Sequence, residues 1–513
     1  GLTTAACLER IGLRVTIATG ASGSNASASG GCANPAIGIW THGLECLDKL
    51  GIRRRLESEG RYMREAGYRD TAGNWLARPS RPLDKFDEIG AILPSGQGGM
   101  GRRARANGSG ASVLFVRESK LMEALRSTLS GNTEVIEANV EGLRWEEGRG
   151  GGIGVAAHLS PHSPKPSAST LEGVGSEFKP GSMWTGAFDL VVGADGPDSF
   201  VRRVAVGGCD DDDDATPERR GYVVYRGVCA GSAVGCEGRE GGAQAQWGSE
   251  SFQTWGPGLR FASVPLAGDE RMWFATVADG VFPAGNTPPA VSIKPFLLET
   301  FGAWHEPISD LLRATRDEDI LCEDARAMSA RGLRLVASSR YADSPSVERG
   351  ERGQQWRSSV VLVGDAAHML DPVLAQGAGV ALEDAFLLAR CLKGYNHSRG
   401  HSLGASKIST GVKEAGMEAV LTRYDEERLR RVLLLSRLSD LSQSLGHLRP
   451  PGLARLRNSL ASLAPSVARS LVFDCFMATS LAGGSKGAVR AAAAAIGWGR
   501  GDARFGGFRI PDL

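Results

Sequence analysis

Two aspartates stand where a carboxylate can serve a ligand. Asp195 closes the apolar run in Phe188 to Arg203, FDLVVGADGPDSFVRR, and Gly196 follows it. Asp365 follows Val360-Val361-Leu362-Val363 and Gly364. Short, β-branched runs of this kind read as buried strands, and open α/β sheets bind ligands at the carboxyl ends of their strands. Beyond Asp365 lies a polar loop with Pro372 and then Gln376-Gly377-Ala378-Gly379, after which Val380, Leu382, Phe386 and Leu387 recur at helical spacing. Glycines just before a helix leave backbone N–H groups free to face an anion, and the helix dipole adds to the attraction. The chemistry on offer is a carboxylate acceptor beside an anion-facing helix start. An ordinary strand, loop and helix would account for Gly364-Asp365 alone, but not for the whole run.

The elements that must position these residues can be followed along the chain. In residues 1–19, GLTTAACLERIGLRVTIAT, Leu2, Ala5, Ala6, Leu8 and Ile11 give a helical face, Gly12 a stop, and Val15 to Ala18 a strand. Helix, glycine, strand is the second half of a Rossmann βαβ unit. Glu134 to Glu147 reads as paired strand material, whereas residues 97–112, 148–186 and 395–416 lack periodicity and read as loop insertions. From Tyr222 to Val277 the runs YVVYRGV, FQTW, LRFASVPL and RMWFATV, separated by glycines, predict a mostly antiparallel sheet. Trp247, Trp255 and Phe261 belong either to its core or to a pocket wall. Five consecutive aspartates, Asp210 to Asp214, read as a solvated loop rather than a cation site. The tail from Arg449 reads as helical, without an assignable role.

Composition narrows the class. A chain of 513 residues is long enough for two or three domains. The net charge of +1 gives no basic excess for nucleic acid, and no apolar run approaches the ~18–20 residues of a membrane span. Nine scattered cysteines, odd in number and without a CxxC, suit free thiols in a reducing compartment. The chain starts at Gly1 rather than Met, so the expectation is a fragment of a cytoplasmic or organellar protein whose targeting segment, if any, lies upstream. No metal-ligand pattern stands out.

The run GDAAH…P…AQGAG…LEDA closely resembles the second flavin-binding motif of single-component FAD-dependent aromatic-ring monooxygenases, the relatives of salicylate, 3-hydroxybenzoate and p-hydroxybenzoate hydroxylases. Three further segments resemble that family in the same order. They are Gly30 to Leu50, with His42 replacing the usual Asn; Val116 to Leu121; and D-G-x-x-S-x-V-R at Asp195, Gly196, Ser199 and Arg202. Phe301 to Met328 and Tyr424 to Arg430 also resemble family helices. The resemblance implies that Gly364-Asp365 meets the ribityl chain of FAD and Arg117 the pyrophosphate or ribityl chain. It implies that Asp195, Gly196, Ser199 and Arg202 serve the pyrophosphate and the nicotinamide cofactor. It places Pro372 by the isoalloxazine ring and Gln376, Gly377, Ala378 and Gly379 at its pyrimidine edge. Pro372, Gly377 and Gly379 would thereby act on the ring itself, since a reduced flavin carries negative charge that a helix N-terminus stabilises. Gly1 matches the end of the dinucleotide fingerprint, and Thr19 falls where an acid usually binds the adenosine ribose. A hydroxyl there lacks charge assistance. His42 reads as a structural residue more readily than as an acid or base.

The implied fold is α/β, a Rossmann-like FAD-binding domain with an inserted, mostly antiparallel substrate sheet and a helical C-terminal tail. The expected division is FAD-binding parts at 1–75, 116–203 and 301–440, a substrate-side strand and insertion at 76–115, the sheet at 204–300, and a tail at 441–513. The implied activity is hydroxylation or epoxidation of a small, aromatic substrate with O2, NADH or NADPH, and a flavin C4a-hydroperoxide. A reductase on the same fold, or an impaired FAD-binding scaffold, is the alternative.

Overall fold

The computed structural model describes residues 1–20, 35–63, 66–80, 113–131, 133–147, 153–161, 183–206, 216–230, 251–281, 293–329, 333, 360–400 and 417–463. Trp247, Asp210 to Asp214 and residues 97–112 lie outside them.

The first helix, α1 (Leu2–Arg10), buries the apolar face read from the sequence, and β1 (Thr16–Thr19) follows. Next come β2 (Ile37–Ile39), α2 (Thr41–Leu50), α3 (Arg53–Glu59), β3 (Arg61–Met63), β4 (Ala66–Arg69) and β5 (Trp75–Ser80). Then follow β6 (Val113–Val116), α4 (Glu118–Arg126), β7 (Glu134–Glu147), β8 (Ile153–Pro161), β9 (Met183–Trp184), β10 (Val191–Gly193) and α5 (Phe200–Val206). The predicted strand at 134–147 forms and pairs in parallel with β1. The stretch 148–186, expected to be loop, instead supplies β8, antiparallel to β7, and β9, antiparallel to β8. Val155 and Leu159 are buried there, and the surrounding Gly/Ser/Pro composition masks the strand's inward face.

The second half holds β11 (Glu218–Ala230), β12 (Ser251–Trp255), β13 (Leu259–Pro265), β14 (Glu270–Ala278), α6 (Ile293–Phe301), α7 (Ile308–Ala314), β15 (Leu321–Ala327) and β16 (Val360–Leu362). It ends with α8 (Asp365–His368), a 3-10 turn (Pro372–Leu374), α9 (Gly377–Gly400), α10 (Met417–Gly446) and α11 (Pro451–Leu463). Helix α9 thus carries into the stretch 395–416 that reads as insertion, and α11 fits the helical tail.

Strands β15, β11, β14, β13, β12, β4 and β5 form one seven-stranded sheet, antiparallel except where β12 meets β4. This sheet draws on segments outside 204–300: β4 and β5 on one side, β15 on the other. One face carries Tyr225, Phe261 and Trp273, packed under Leu297, Phe301, Leu311 and Leu312 of α6 and α7. The opposite face carries the cross-strand row Tyr68, Gln253, Ala262, Phe274 and Arg226. Phe261 is therefore core, stacked on Trp273 at 5.6 Å, whereas Trp255 lies beside Tyr68 at 4.8 Å on the other face.

The Rossmann-like part comes as two ladders, β1–β7–β8–β9 and β10–β16, joined to one another by no strand pairing among the described residues. Its core gathers α1, α2, α4, α9, α10 and β16 into one cluster. That core brings the ends of β10 and β16, and the N-termini of α1 and α9, to one edge.

Candidate flavin site

The turn after β16 is shaped by backbone that a side chain would oppose. Gly364 sits at φ 60°, ψ −144°, a region essentially confined to glycine. Its N–H donates to Asp384 Oδ2 at 2.7 Å, and the same oxygen lies 2.7 Å from His368 Nε2. Asp384 also pairs through Oδ1 with Arg428, whose guanidinium donates to Glu383 Oε2 at 2.6 Å and to the Val380 carbonyl at 2.6 Å. Arg431 caps Glu383 from the other side. These side chains are buried almost without exception, so burial opposes the charge on Glu383. The adjoining Arg431 and Arg428 overcome it and hold the carboxyl at about 2. Tyr424 completes the support by donating to the Leu362 carbonyl at 3.3 Å. A buried charge network thus holds the Asp365 turn in place. Its members Glu383, Asp384 and Arg428 lie in segments that match the family pattern, but the sequence does not reveal their pairing.

The Asp195 motif is tied to itself and to that turn. Asp195 accepts from Ser199 Oγ and from the Val201 N–H (3.1 Å), capping α5, and Ser199 Oγ accepts from the Arg202 N–H at 2.9 Å. Buried Arg202 donates to the carbonyls of Asp365 (3.2 Å), Ala366 (2.9 Å) and Pro197. The side chains of Asp195, Ser199 and Arg202, expected to meet the cofactor, hold two loops together in this structure. What the motif leaves open is Gly196, at φ 82° with nothing within 4 Å of where a Cβ would lie. Gly1 brings the start of α1 to the same edge, its Cβ direction 3.7 Å from the Ala194 Cβ. Thr19 closes β1, half-buried, opposite Glu137.

Arg117 follows another course from the one expected. It precedes α4, and its guanidinium makes a two-pronged pair with Glu270 at 3.0 and 2.6 Å, linking the Rossmann-like part to the sheet.

The glycine run divides into two functions. Gly379 seats His42: a Cβ there would fall 2.2 Å from the imidazole Nε2, and Gly43 packs on the Gly379 Cα. Its glycine is explained by packing against α2, where His42 is buried. Gly377 is different. A Cβ there would meet only Asp365 Oδ1, at 3.8 Å. The Asp365 carboxylate is half-buried and accepts no hydrogen bond from a described residue, and burial raises its pKa. Gln376 beside it has a buried Oε1 without a partner. The N–H groups of Gly377, Ala378 and Gly379 open α9 and have no intrahelical acceptor. Pro372 is half-buried, at the head of its turn.

The loop between is pinned at both ends. Trp40 Nε1 donates to the Ala375 carbonyl at 2.9 Å, holding a non-glycine residue in the left-handed region at φ 51°. Asp371 at the other end is buried and bonded to the sheet.

A carboxylate acceptor, an orphaned amide oxygen and an anion-facing helix start, gathered at the carboxyl edge of a parallel sheet, define a dinucleotide-binding flavoprotein fold. Residues 209–437 match the FAD binding domain family. The chain is 29% identical over 324 residues to the aurachin C monooxygenase/isomerase of Stigmatella aurantiaca, covering 63% of this chain and 61% of that protein. It is 28% identical over 255 residues to the chloroplastic zeaxanthin epoxidase of Oryza sativa subsp. japonica, covering 50% of this chain and 31% of that one. The match thus spans less than two thirds of either relative. In fold it is similar to Klebsiella pneumoniae HpxO complexed with FAD and uric acid, with a TM-score of 0.61, 19% identity, and coverage of 93% of this chain and 94% of that one. Over part of its length the chain is thus similar to a monooxygenase/isomerase and to an epoxidase, and residues 209–437 to an FAD binding domain.

FAD fits the residues present. Asp365 and Gln376 offer acceptors that no described residue uses, and among the described residues no atom lies closer to the space above Gly377 than that carboxylate. Among the described residues no His/Cys/Asp/Glu group could hold a metal ion, and no helix is long and apolar enough to cross a membrane.

Proposed function

We propose that the chain is a monooxygenase that holds FAD noncovalently and uses NADH or NADPH and O2 to hydroxylate or epoxidise a small, aromatic-type substrate. Bound flavin supplies the redox chemistry and the activation of oxygen. The chain's residues bind, orient and exclude water. Asp365 accepts hydrogen bonds from the ribityl hydroxyls, and the open backbone at Gly196 and at the start of α1 approaches the pyrophosphate. The N–H groups of Gly377 and Ala378, pre-aligned by α9, face the pyrimidine edge and favour negative charge there at no reorganisation cost. The substrate lies between the Pro372 turn and the sheet face that carries Val224, Ala262 and Phe274. That face mixes apolar side chains with Gln253 and Arg226, and it covers the reacting atoms against bulk water.

The observation that carries this reading is the half-buried Asp365 carboxylate, without a hydrogen-bond partner among the described residues, facing the open side of Gly377. The deciding experiment reconstitutes the purified protein with FAD and follows its absorption spectrum. It then measures oxygen-dependent NAD(P)H consumption against a panel of phenols and quinolones. Asp365→Ala removes one charge-assisted bond, and FAD affinity falls roughly ten- to a hundredfold. Parent-like affinity in that variant refutes the assignment. NAD(P)H oxidation that no panel member stimulates points to the reductase alternative.

A further inference from the structure

We infer that Asp371 is a positioning residue that couples the flavin loop to the substrate sheet and to the end of α10, so that those elements set where Pro372 and the start of α9 stand. The inference rests on the reading of residues 372–379 as the flavin edge.

Asp371 immediately precedes Pro372 and is buried, an unusual place for a carboxylate without metal or ligand. Every lone pair it uses is directed by another element. Oδ1 caps the 3-10 turn by accepting from the Val373 N–H at 2.9 Å and also accepts from the Tyr222 hydroxyl at 2.5 Å. Oδ2 accepts from Arg220 Nε at 3.1 Å. Arg220 and Tyr222, two residues apart on β11, reach the same carboxylate, and the strand is irregular between them: its pairing with β15 shifts register between Arg219 and Val223, and Gly221 turns left-handed at φ 75°. Such a bulge re-aims side chains next to a site.

The outer end of the relay lies on α10. Arg220 pairs with Asp440, and its carbonyl accepts from Gln443 Nε2 at 3.2 Å. Tyr222 stacks on His447 with ring centroids 4.2 Å apart, and His447 in turn is bonded to Thr276 of β14 at 2.9 Å. A cleft of about 320 Å³ opens here, with Arg220, Gln443 and His447 in its wall. The Met328 N–H, at the end of β15, donates to the Met369 carbonyl at 2.8 Å and ties the same loop to the sheet a second time. Asp371 is thus the point where the sheet, α10 and the loop meet. Only Pro372 to Gln376 separate it from the helix start proposed to face the ring.

The test uses the full chain reconstituted with FAD and compares Asp371→Asn, Tyr222→Phe and Arg220→Gln with Asp279→Asn, which disturbs an exposed ion pair with Arg219 on the same sheet. FAD dissociation constant, flavin midpoint potential and the melting temperature of the apoprotein are measured together. Asp371→Asn is expected to weaken FAD about tenfold and to lower the potential, because the helix start is no longer held against the ring. Tyr222→Phe shifts both in the same direction by less, and the double variant is no worse than Asp371→Asn alone, as for residues acting as one unit. Asp279→Asn changes neither. A merely structural carboxylate would lower the melting temperature and leave the potential of the loaded protein at the parent value; that result, or additive effects of Asp371→Asn and Tyr222→Phe, overturns the inference. If Asp371→Asn fails to fold, Tyr222→Phe decides the question by the same potential measurement. Asp365→Ala separates the two readings. If it weakens FAD while Asp371→Asn does not, the coupling alone is wrong; if neither does, the flavin edge itself is misassigned.

Discussion

Replacing Gly377 by valine tests the electrostatic role of the α9 start with little structural interference. The added Cβ meets no protein atom closer than Asp365 Oδ1 at 3.8 Å, so it enters the ligand's space rather than the core. Glycine is also the poorer helix former, by up to about 1 kcal/mol against alanine, so the apoprotein loses little stability. A helix N-terminus acts as roughly half a positive charge. Moving a unit negative charge from about 4 to about 5.5 Å from it costs about 0.6 kcal/mol at an effective dielectric of ~20. For a two-electron couple that is a drop of about 13 mV, using the conversion of roughly 30 mV per 1.4 kcal/mol. If a backbone hydrogen bond to the anionic ring is lost as well, another ~1.5–3 kcal/mol brings the drop to roughly 45–80 mV. The assay is a dye-coupled reductive titration of the reconstituted protein, run beside a thermal melt of the apoprotein. A flavin-loaded variant with the parent potential and a lowered melting temperature refutes the reasoning and leaves Gly377 as a turn residue.

Gly379→Ala behaves in the opposite way: its methyl falls 2.2 Å from His42 Nε2, so the apoprotein melting temperature drops whether or not FAD is present, and Gly377→Ala melts higher than Gly379→Ala. Arg428→Met takes the shared cation from buried Glu383 and Asp384, leaving them Arg431 and His368, and costs about 3–5 kcal/mol in chemical denaturation, against less than ~1 kcal/mol for breaking the exposed Arg316–Glu318 pair. His447 is held neutral, its pKa lowered to about 3 by burial and by Arg260, whereas an unfolded histidine titrates near 6.5. In that interval the unfolded chain binds the extra proton. Stability contributed by this residue is therefore complete above about pH 6.5 and declines as pH falls towards 3, by up to ~1.4 kcal/mol per pH unit. His447→Gln flattens that portion of the pH–stability curve, and an unaltered slope contradicts the assignment.

Much of the site's edge is legible in the sequence, because short apolar runs ending in Gly364-Asp365 and Asp195-Gly196 report a local fact, the end of a buried strand. What those side chains do next is not local. Asp195 finds its partners in Ser199 and Val201, but Arg202 finds the carbonyls of a turn more than 160 residues on. No periodicity announces that Asp384 and Arg428, on two helices, will share a buried ion pair. Gly377 and Gly379 look equivalent as letters and differ only in what lies beyond them, an open site for one and His42 for the other. The extra strands β8, β4 and β15 escape for related reasons. Glycine- and proline-rich surroundings dilute the alternation of the first, and the others join their sheet through partners remote in the chain.

The interleaving of the two parts has a consequence for synthesis. Strand β4 meets β12 with Arg69 opposite Thr254, and β1, β10 and β16 reach the other part from both sides of that pairing. Neither part is contiguous, so neither can be cut out or swapped as one segment, and the last strand of the sheet, β15, emerges before β16 completes its ladder with β10. The emerging β4–β5 hairpin must keep the other edge of β4 unpaired until residues beyond 251 appear, which exposes a strand edge during a slow, non-local closure.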